Sequence, residues 1–188
     1  MRRETAIKRI LVVGLFISLI FFLSMNSIVS ADEAPINNST GGDPMKLTSS
    51  AFQHNQMIPA QFTCEGDDVN PALEIFGVPQ QAQSLALIMD DPDAPRGTWV
   101  HWVVFDIPVT DQIGEETRPG PQGINDFGRL DYGGPCPPSG THRYFFKIYA
   151  LDSQLNLKEG ITKADLEKAM KGHILDQAEL VGLYKKKM

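Results

Sequence analysis

The sequence predicts a mainly β protein, an antiparallel β-sandwich with short helices at its C-terminal end. Three observations lead there. Between residues 59 and 140 glycine and proline are frequent, and no window repeats apolar residues at helical spacing beyond two turns. Three short runs, Ser84 to Met89, Val100 to Ile107 and Arg143 to Leu151, are apolar, rich in β-branched and aromatic residues, and end at Asp, Pro or Gly. Helical spacing is confined to the stretch after Ile161.

Taken in order, the chain opens with a targeting pattern. Arg2, Arg3, Lys8 and Arg9 precede an apolar stretch, Ile10 to Leu23, interrupted only by Gly14 and Ser18, and Val29-Ser30-Ala31 supplies the small residues that a signal peptidase reads. Residues 1–31 therefore read as a secretory signal peptide, which implies export to the periplasm or the exterior. A retained membrane anchor is the competing reading, and it is disfavoured because the apolar core is shorter than the roughly 20 residues of a spanning helix. Residues 32–44, with Pro35, Asn37, Asn38, Ser39, Gly41 and Gly42, read as a flexible linker. The folded domain is expected over residues 45–188, a length at which a single core is stable without staples.

Within that domain Phe52 to Phe62 and Leu73 to Phe76 read as weaker flanking strands. The three apolar runs are nearly continuous, so both faces of their sheet should be covered. Alternation along the second run places Trp99 and His101 on one face and Val100 and Trp102 on the other. Thr162 and Asp165 form a T-x-x-D start to a helix carrying Leu166, Ala169 and Met170 on one face, which Gly172 ends. Ile174, Leu175 and Ala178 suggest a second short helix, and Leu180 to Tyr184 a final strand.

Charge narrows the function. The chain has 17 basic and 23 acidic residues, net −6. Setting aside the four bases and one acid of residues 1–31 leaves 13 against 22, or −9. The only basic run is the terminal Lys185 to Lys187, so nucleic acid is excluded as a partner on electrostatic grounds.

Three polar clusters sit at the ends of the three strongest strands. The first is Asp90-Asp91-Pro92-Asp93-Ala94-Pro95-Arg96, where like charges crowd and two prolines fix a turn. The second is Trp99-Val100-His101-Trp102. The third, Gly133-Gly134-Pro135-Cys136-Pro137-Pro138-Ser139-Gly140-Thr141-His142-Arg143-Tyr144, is a stiff loop that delivers His142 and Tyr144 to one face of the last long strand. Each cluster alone is an ordinary turn or a core histidine; if the strand ends neighbour one another, Asp91, His101, His142 and Tyr144 line one pocket.

These residues resemble the signatures of the phosphatidylethanolamine-binding protein family, in its bacterial branch of Raf-kinase-inhibitor-like proteins. The D-P-D-A-P turn, the W-x-H strand, the G-G-P-C-P-P-S-G-x-H-R-Y loop, the F-T-C-E-G-D-D-V-N-P-A-L stretch from Phe62 to Leu73 and the A-E-L-V-G ending at Gly182 carry the likeness. The resemblance implies a β-sandwich with peripheral helices and a small pocket for phosphate, phosphorylated headgroups or carboxylates. It carries ligand-binding roles onto Asp91, Asp93, Pro95, Trp99, His101, Gly134, His142 and Tyr144. It also implies a regulatory or inhibitory role toward a kinase or protease target, and it is compatible with a homodimer. Val100 stands where animal members have a second histidine, a departure that bears on lipid recognition.

The chemistry expected is donation to an anion. Imidazolium rings of His101 and His142, charged with help from Asp91, would donate to phosphate oxygens, joined by the Tyr144 hydroxyl and by backbone N–H groups around Gly133 and Gly134. The reading is a binding protein without a cofactor, not an enzyme. Its alternative is a metal-dependent hydrolase in which Asp91, Asp93, His101 and His142 hold zinc or manganese, although their spacing matches no compact metal motif. Cys64 and Cys136 either form one disulfide between two loops in an oxidising compartment or remain buried thiols.

Overall fold

Unbroken burial over eight consecutive residues sets the centre of the domain. The computed structural model describes residues 43–187, so the signal-peptide reading and nearly all of the linker lie outside the described residues. Strand β4, Ser84–Asp91, is buried along its whole length. Leu85, Leu87 and Met89 face one core, and Ala86 and Ile88 face another. The strand is thus covered on both sides, as its unbroken apolarity requires.

The remaining strands are β1 Lys46–Thr48, β2 Gln56–Met57, β3 Leu73–Phe76, β5 Trp99–Ile107, β6 Gln112–Ile113, β7 His142–Leu151 and β8 Ile174–Tyr184. They form a three-stranded sheet ordered β1-β3-β6 and a five-stranded sheet ordered β2-β8-β7-β4-β5. All pairings are antiparallel except β2 with β8. The larger core lies between the sheets, where Leu47, Leu73, Ile75 and Ile113 meet Leu87, Trp102, Val104, Phe146 and Ile148. The smaller core lies on the outer face of the five-stranded sheet, where Ile88, Val103 and Phe105 are roofed by Leu166 and Met170 of helix α1, Lys163–Met170. Thr162 caps that helix in a reciprocal box with Asp165, and Gly172 follows with φ +87.

Three sequence expectations give way to the tertiary structure. Among the described residues one α-helix closes the domain: Ile174, Leu175 and Ala178, read as a second helix, lie in β8, which pairs along its length with β7. The first half of β8 runs past the core and leaves Ile174 and Leu175 exposed, which breaks the alternation that would mark a strand. Phe52 to Phe62 yields only the two residues of β2 and a 3-10 turn, Ala60–Phe62, because Phe52, Ile58 and Phe62 plug the core as isolated anchors in a loop.

The third correction matters for the site. Met89 pairs with Trp102 and Asp90 with Val100, so His101 is an extra residue in β5, a β-bulge. Val100 and Trp102 therefore part company: Trp102 enters the inter-sheet core, while Val100 packs against the outer one. The bulge turns His101 inward beside Trp99.

Candidate functional site

Three strand ends and two loops converge on one cavity. Continuing the inward series of β4, Asp91 follows Met89, while Asp90 faces outward to the ammonium groups of Lys147 and Lys163. On β7 the inward series is His142, Tyr144, Phe146 and Ile148. Antiparallel pairing brings Asp91 beside His142, whose Nδ1 lies 2.7 Å from Asp91 Oδ2. The second carboxylate oxygen, Oδ1, accepts from the Asp93 backbone N–H at 2.8 Å. Asp91 is 3% exposed, so the two bonds hold a buried carboxylate in place.

His101 is held from both ends. Its Nδ1–H donates to Gly133 O at 2.6 Å, and its backbone carbonyl accepts from Gly133 N at 3.0 Å and from Asn125 Nδ2 at 3.2 Å. The loop thus satisfies backbone groups that the bulge removes from the ladder. The ring stands edge-on to Phe127 and Tyr144, with centroids 5.3 and 5.2 Å away. Burial pushes the imidazole pKa below its ordinary 6.5, although the Gly133 carbonyl and the Asp91 charge pull the other way. The lowered pKa favours the neutral ring over the imidazolium expected for it.

The cavity has a volume of about 400 Å³. Asp91, Pro95, Trp99, His101 and Tyr144 of the residues expected from the sequence line it, together with Ala94, Arg96, Phe127, Cys136 and Pro138. Two side-chain donors in these walls, Trp99 Nε1 and Tyr144 Oη, are buried without a hydrogen-bond partner among the described residues. Burial first and the Asp91 charge second raise the Tyr144 pKa, so its hydroxyl keeps its proton. Arg96 is exposed on the turn and enters none of the ion pairs of the described residues, in contrast to Arg143, which is bound to Asp93.

Asp93, Gly134 and His142 support the cavity without lining it. Both Asp93 oxygens receive Arg143, from Nη2 at 2.7 Å and from Nε at 2.9 Å, and the guanidinium lowers this carboxyl to about 2. Gly134 N–H donates to Asp68 Oδ1 at 2.7 Å, and a Cβ on Gly134 would lie 2.6 Å from that oxygen and 2.8 Å from Phe62 O. The N–H groups of Gly133 and Gly134, expected as ligand donors, are therefore already engaged within the protein. Cys64 and Cys136 are bridged in this structure, which ties the Gly133–Pro138 loop to the one after Phe62.

The metal set proposed as an alternative is not assembled. Among the described residues no three His, Cys, Asp or Glu side chains come together as a metal site. Asp93 is turned to Arg143, and the ring nitrogen Nδ1 of His101 is taken by Gly133 O.

Sequence reasoning passed over Arg96, Cys136 and Pro138 as cavity-lining groups, although they stand inside the quoted clusters. Phe127 carried no signal, since a single aromatic in a polar turn has no periodicity to mark it.

The family model for phosphatidylethanolamine-binding proteins matches residues 48–185, and the chain belongs to that family. It is 51% identical over 158 residues to a UPF0098 protein of Pyrococcus abyssi, covering 78% of this chain and 89% of that one. Among solved structures it is similar to a phosphatidylethanolamine-binding protein homologue of Chlamydia trachomatis, with TM-score 0.75 and 42% identity over 78% of this chain and all of that one. Escherichia coli YbcL, described as a member of the mammalian family, aligns with TM-score 0.71 and 28% identity, covering 76% of this chain and 99% of YbcL.

Proposed function

We propose that this protein binds small anionic, phosphate-bearing ligands in the Asp91–Tyr144 cavity without turning them over. The observation that carries the reading is one cavity lined by Arg96, Trp99, His101 and Tyr144, in which Trp99 Nε1 and Tyr144 Oη are buried without a well-formed hydrogen bond among the described residues and Arg96 enters no ion pair. A buried donor without a partner costs free energy unless a ligand or water accepts from it. Arg96 supplies the positive charge that the neutral His101 does not, and guanidinium geometry suits phosphoryl oxygens.

Binding without chemistry fits the walls. No serine, threonine or lysine lines the cavity, and its one cysteine is oxidised. The leader pattern of residues 1–31 supports an extracytoplasmic setting, with which the Cys64–Cys136 bridge agrees.

Calorimetric titration with inorganic phosphate and phosphoethanolamine at pH 6 tests the reading. Saturable binding is expected, and Trp99→Phe and Tyr144→Phe, which delete a donor while keeping an aromatic wall, should each weaken it about tenfold. Absence of saturable binding, or affinity indifferent to both substitutions, would remove this function.

A further inference from the structure

The two sheets turn two strand edges toward one groove. Strand β2 covers only Gly182 and Leu183 of β8, so residues 174–181 have a strand neighbour on the β7 side alone. Strand β1 ends the smaller sheet and pairs only with β3. The groove between them, about 360 Å³, is bordered by Lys46 and Leu47 of β1, by Phe52 and His54 of the loop that follows, and by Glu179 and Leu180 of β8.

Main-chain direction determines what this groove can hold. On β8 the Val181 N–H donates to His54 Nδ1 at 3.3 Å and its carbonyl accepts from Asn55 N at 2.7 Å, so both groups point away from β7. Direction alternates along a strand, which puts the N–H and C=O of Gln177 and Glu179 on the same edge. In agreement, Gln177 N–H donates to Asp176 Oδ1 at 2.7 Å. On β1 the register partner of Leu47 is Ile75, whose N–H is bound to Asp111 O on the β6 side. Leu47 therefore turns its own N–H and C=O away from β3 and toward the groove.

Most of this edge is blunted, as free edges usually are. Asp176 accepts from Gln177 N–H with one oxygen and from Met45 N–H, at 2.9 Å, with the other, which closes one end of the groove. His54 and Asn55 close the other end. Between these stoppers the outward N–H and C=O groups of Glu179 and Leu47 take no partner among the described residues. Donors and acceptors at the strand repeat are complemented by another main chain. A strand of a second copy would carry its sheet neighbours with it and is too wide for a groove walled by β1; a single extended segment is not.

Charge and apolar surface narrow the segment further. Lys46 enters no ion pair among the described residues. The Glu179 side chain is directed to the outer face of the sheet, opposite Lys147, and leaves the Lys46 charge uncompensated. Phe52 and Leu180 belong to the inter-sheet core and supply an apolar border.

We propose that the groove between β1 and β8 is a strand-addition site for a short, extended, acidic segment of a partner protein. The main-chain groups of Leu47 and Glu179 pair with the segment, Lys46 meets its carboxylate, and Phe52 and Leu180 receive an apolar side chain. This site is separate from the anion cavity and does not depend on it.

The test pans the full chain against phage-displayed random linear peptides and follows synthetic copies of the selected peptides by calorimetry. The peptides should carry Asp or Glu beside an apolar residue, and N-methylation of a central peptide amide should weaken binding about tenfold. Lys46→Glu should weaken it at least as much. Glu179→Pro deletes the free N–H at an edge position where proline is tolerated, and it should also cost about tenfold. Amide hydrogen exchange on the unaltered protein decides if that variant does not fold. Leu47 and Glu179 should exchange rapidly in the free protein and slow when peptide is added, while Ala178 and Leu180 stay slow throughout.

Failure to recover any peptide that binds saturably overturns the proposal. Binding that leaves exchange at Leu47 and Glu179 unchanged, or that survives N-methylation, overturns it as well, because the peptide would then sit elsewhere. A concentration-dependent dimer that protects Glu179 overturns the choice of occupant in favour of a second copy of the chain.

Discussion

Asp93 and His101 show how single residues set the chemistry of this site. The Asp93 carboxyl is held at about 2 because Arg143 meets both oxygens. A depressed carboxylate stabilises the fold above its unfolded pKa of 3.8, and the contribution disappears as pH falls through about 2. Arg143→Ala should therefore lower stability above pH 4, with the gap to the unaltered protein closing toward pH 2, and a carboxyl-detected NMR titration should show Asp93 returning toward 3.8. His101 changes stability with pH in the same sense, for a different reason. Its folded pKa is depressed by burial, so the unfolded chain takes up a proton below 6.5 that the folded chain refuses, and stability declines on acidification through that window. Imidazole nitrogen shifts should keep His101 as the neutral Nδ1–H tautomer as pH falls through 6.5. Neither behaviour was legible from the sequence. The composition showed histidine near carboxylates and suggested an imidazolium, but the sign of the shift depends on how much water burial removes.

Elements decide where those residues point. The third long strand was read correctly to within a residue, because the alternation of His142, Tyr144, Phe146 and Ile148 survives in its buried face. The second was read correctly to within a residue in extent and for Trp99 with His101, which line one cavity, but wrongly for Val100 with Trp102, because a bulge is a property of two paired strands and only one of them was being read. Gly134 marks a further element-scale constraint. Its loop sits directly on Asp68 and the backbone after Phe62, so Gly134→Ala should cost about 1–3 kcal/mol in urea unfolding and loosen the cavity wall that Cys136 and Pro138 supply. Thr162→Ala is the contrasting case. It removes the capping box at the far face of the sheet, so it should cost about 1 kcal/mol and leave anion affinity unchanged.

At the scale of the whole molecule the Cys64–Cys136 bridge closes a segment with a sequence separation of 72 residues. The chain-entropy relation assigns such a loop about 4 kcal/mol at 25 °C. Urea unfolding with and without dithiothreitol should show a loss of that order or less, and the reduced protein should bind anions more weakly because Cys136 forms part of the cavity. The sequence by itself determined the β class, the three long strands, the capped helix and the residue types that gather at the strand ends. Hydrophobic period, turn chemistry and capping are local, and each is written within a few neighbouring residues. Tertiary structure alone decided that β8 begins as early as Ile174, that His101 is a bulge residue, that Gly133 and Gly134 are already engaged, and that Arg96 and Phe127 complete the cavity. Each of those outcomes depends on a partner far along the chain, and on the burial that the partner imposes, which no local pattern encodes.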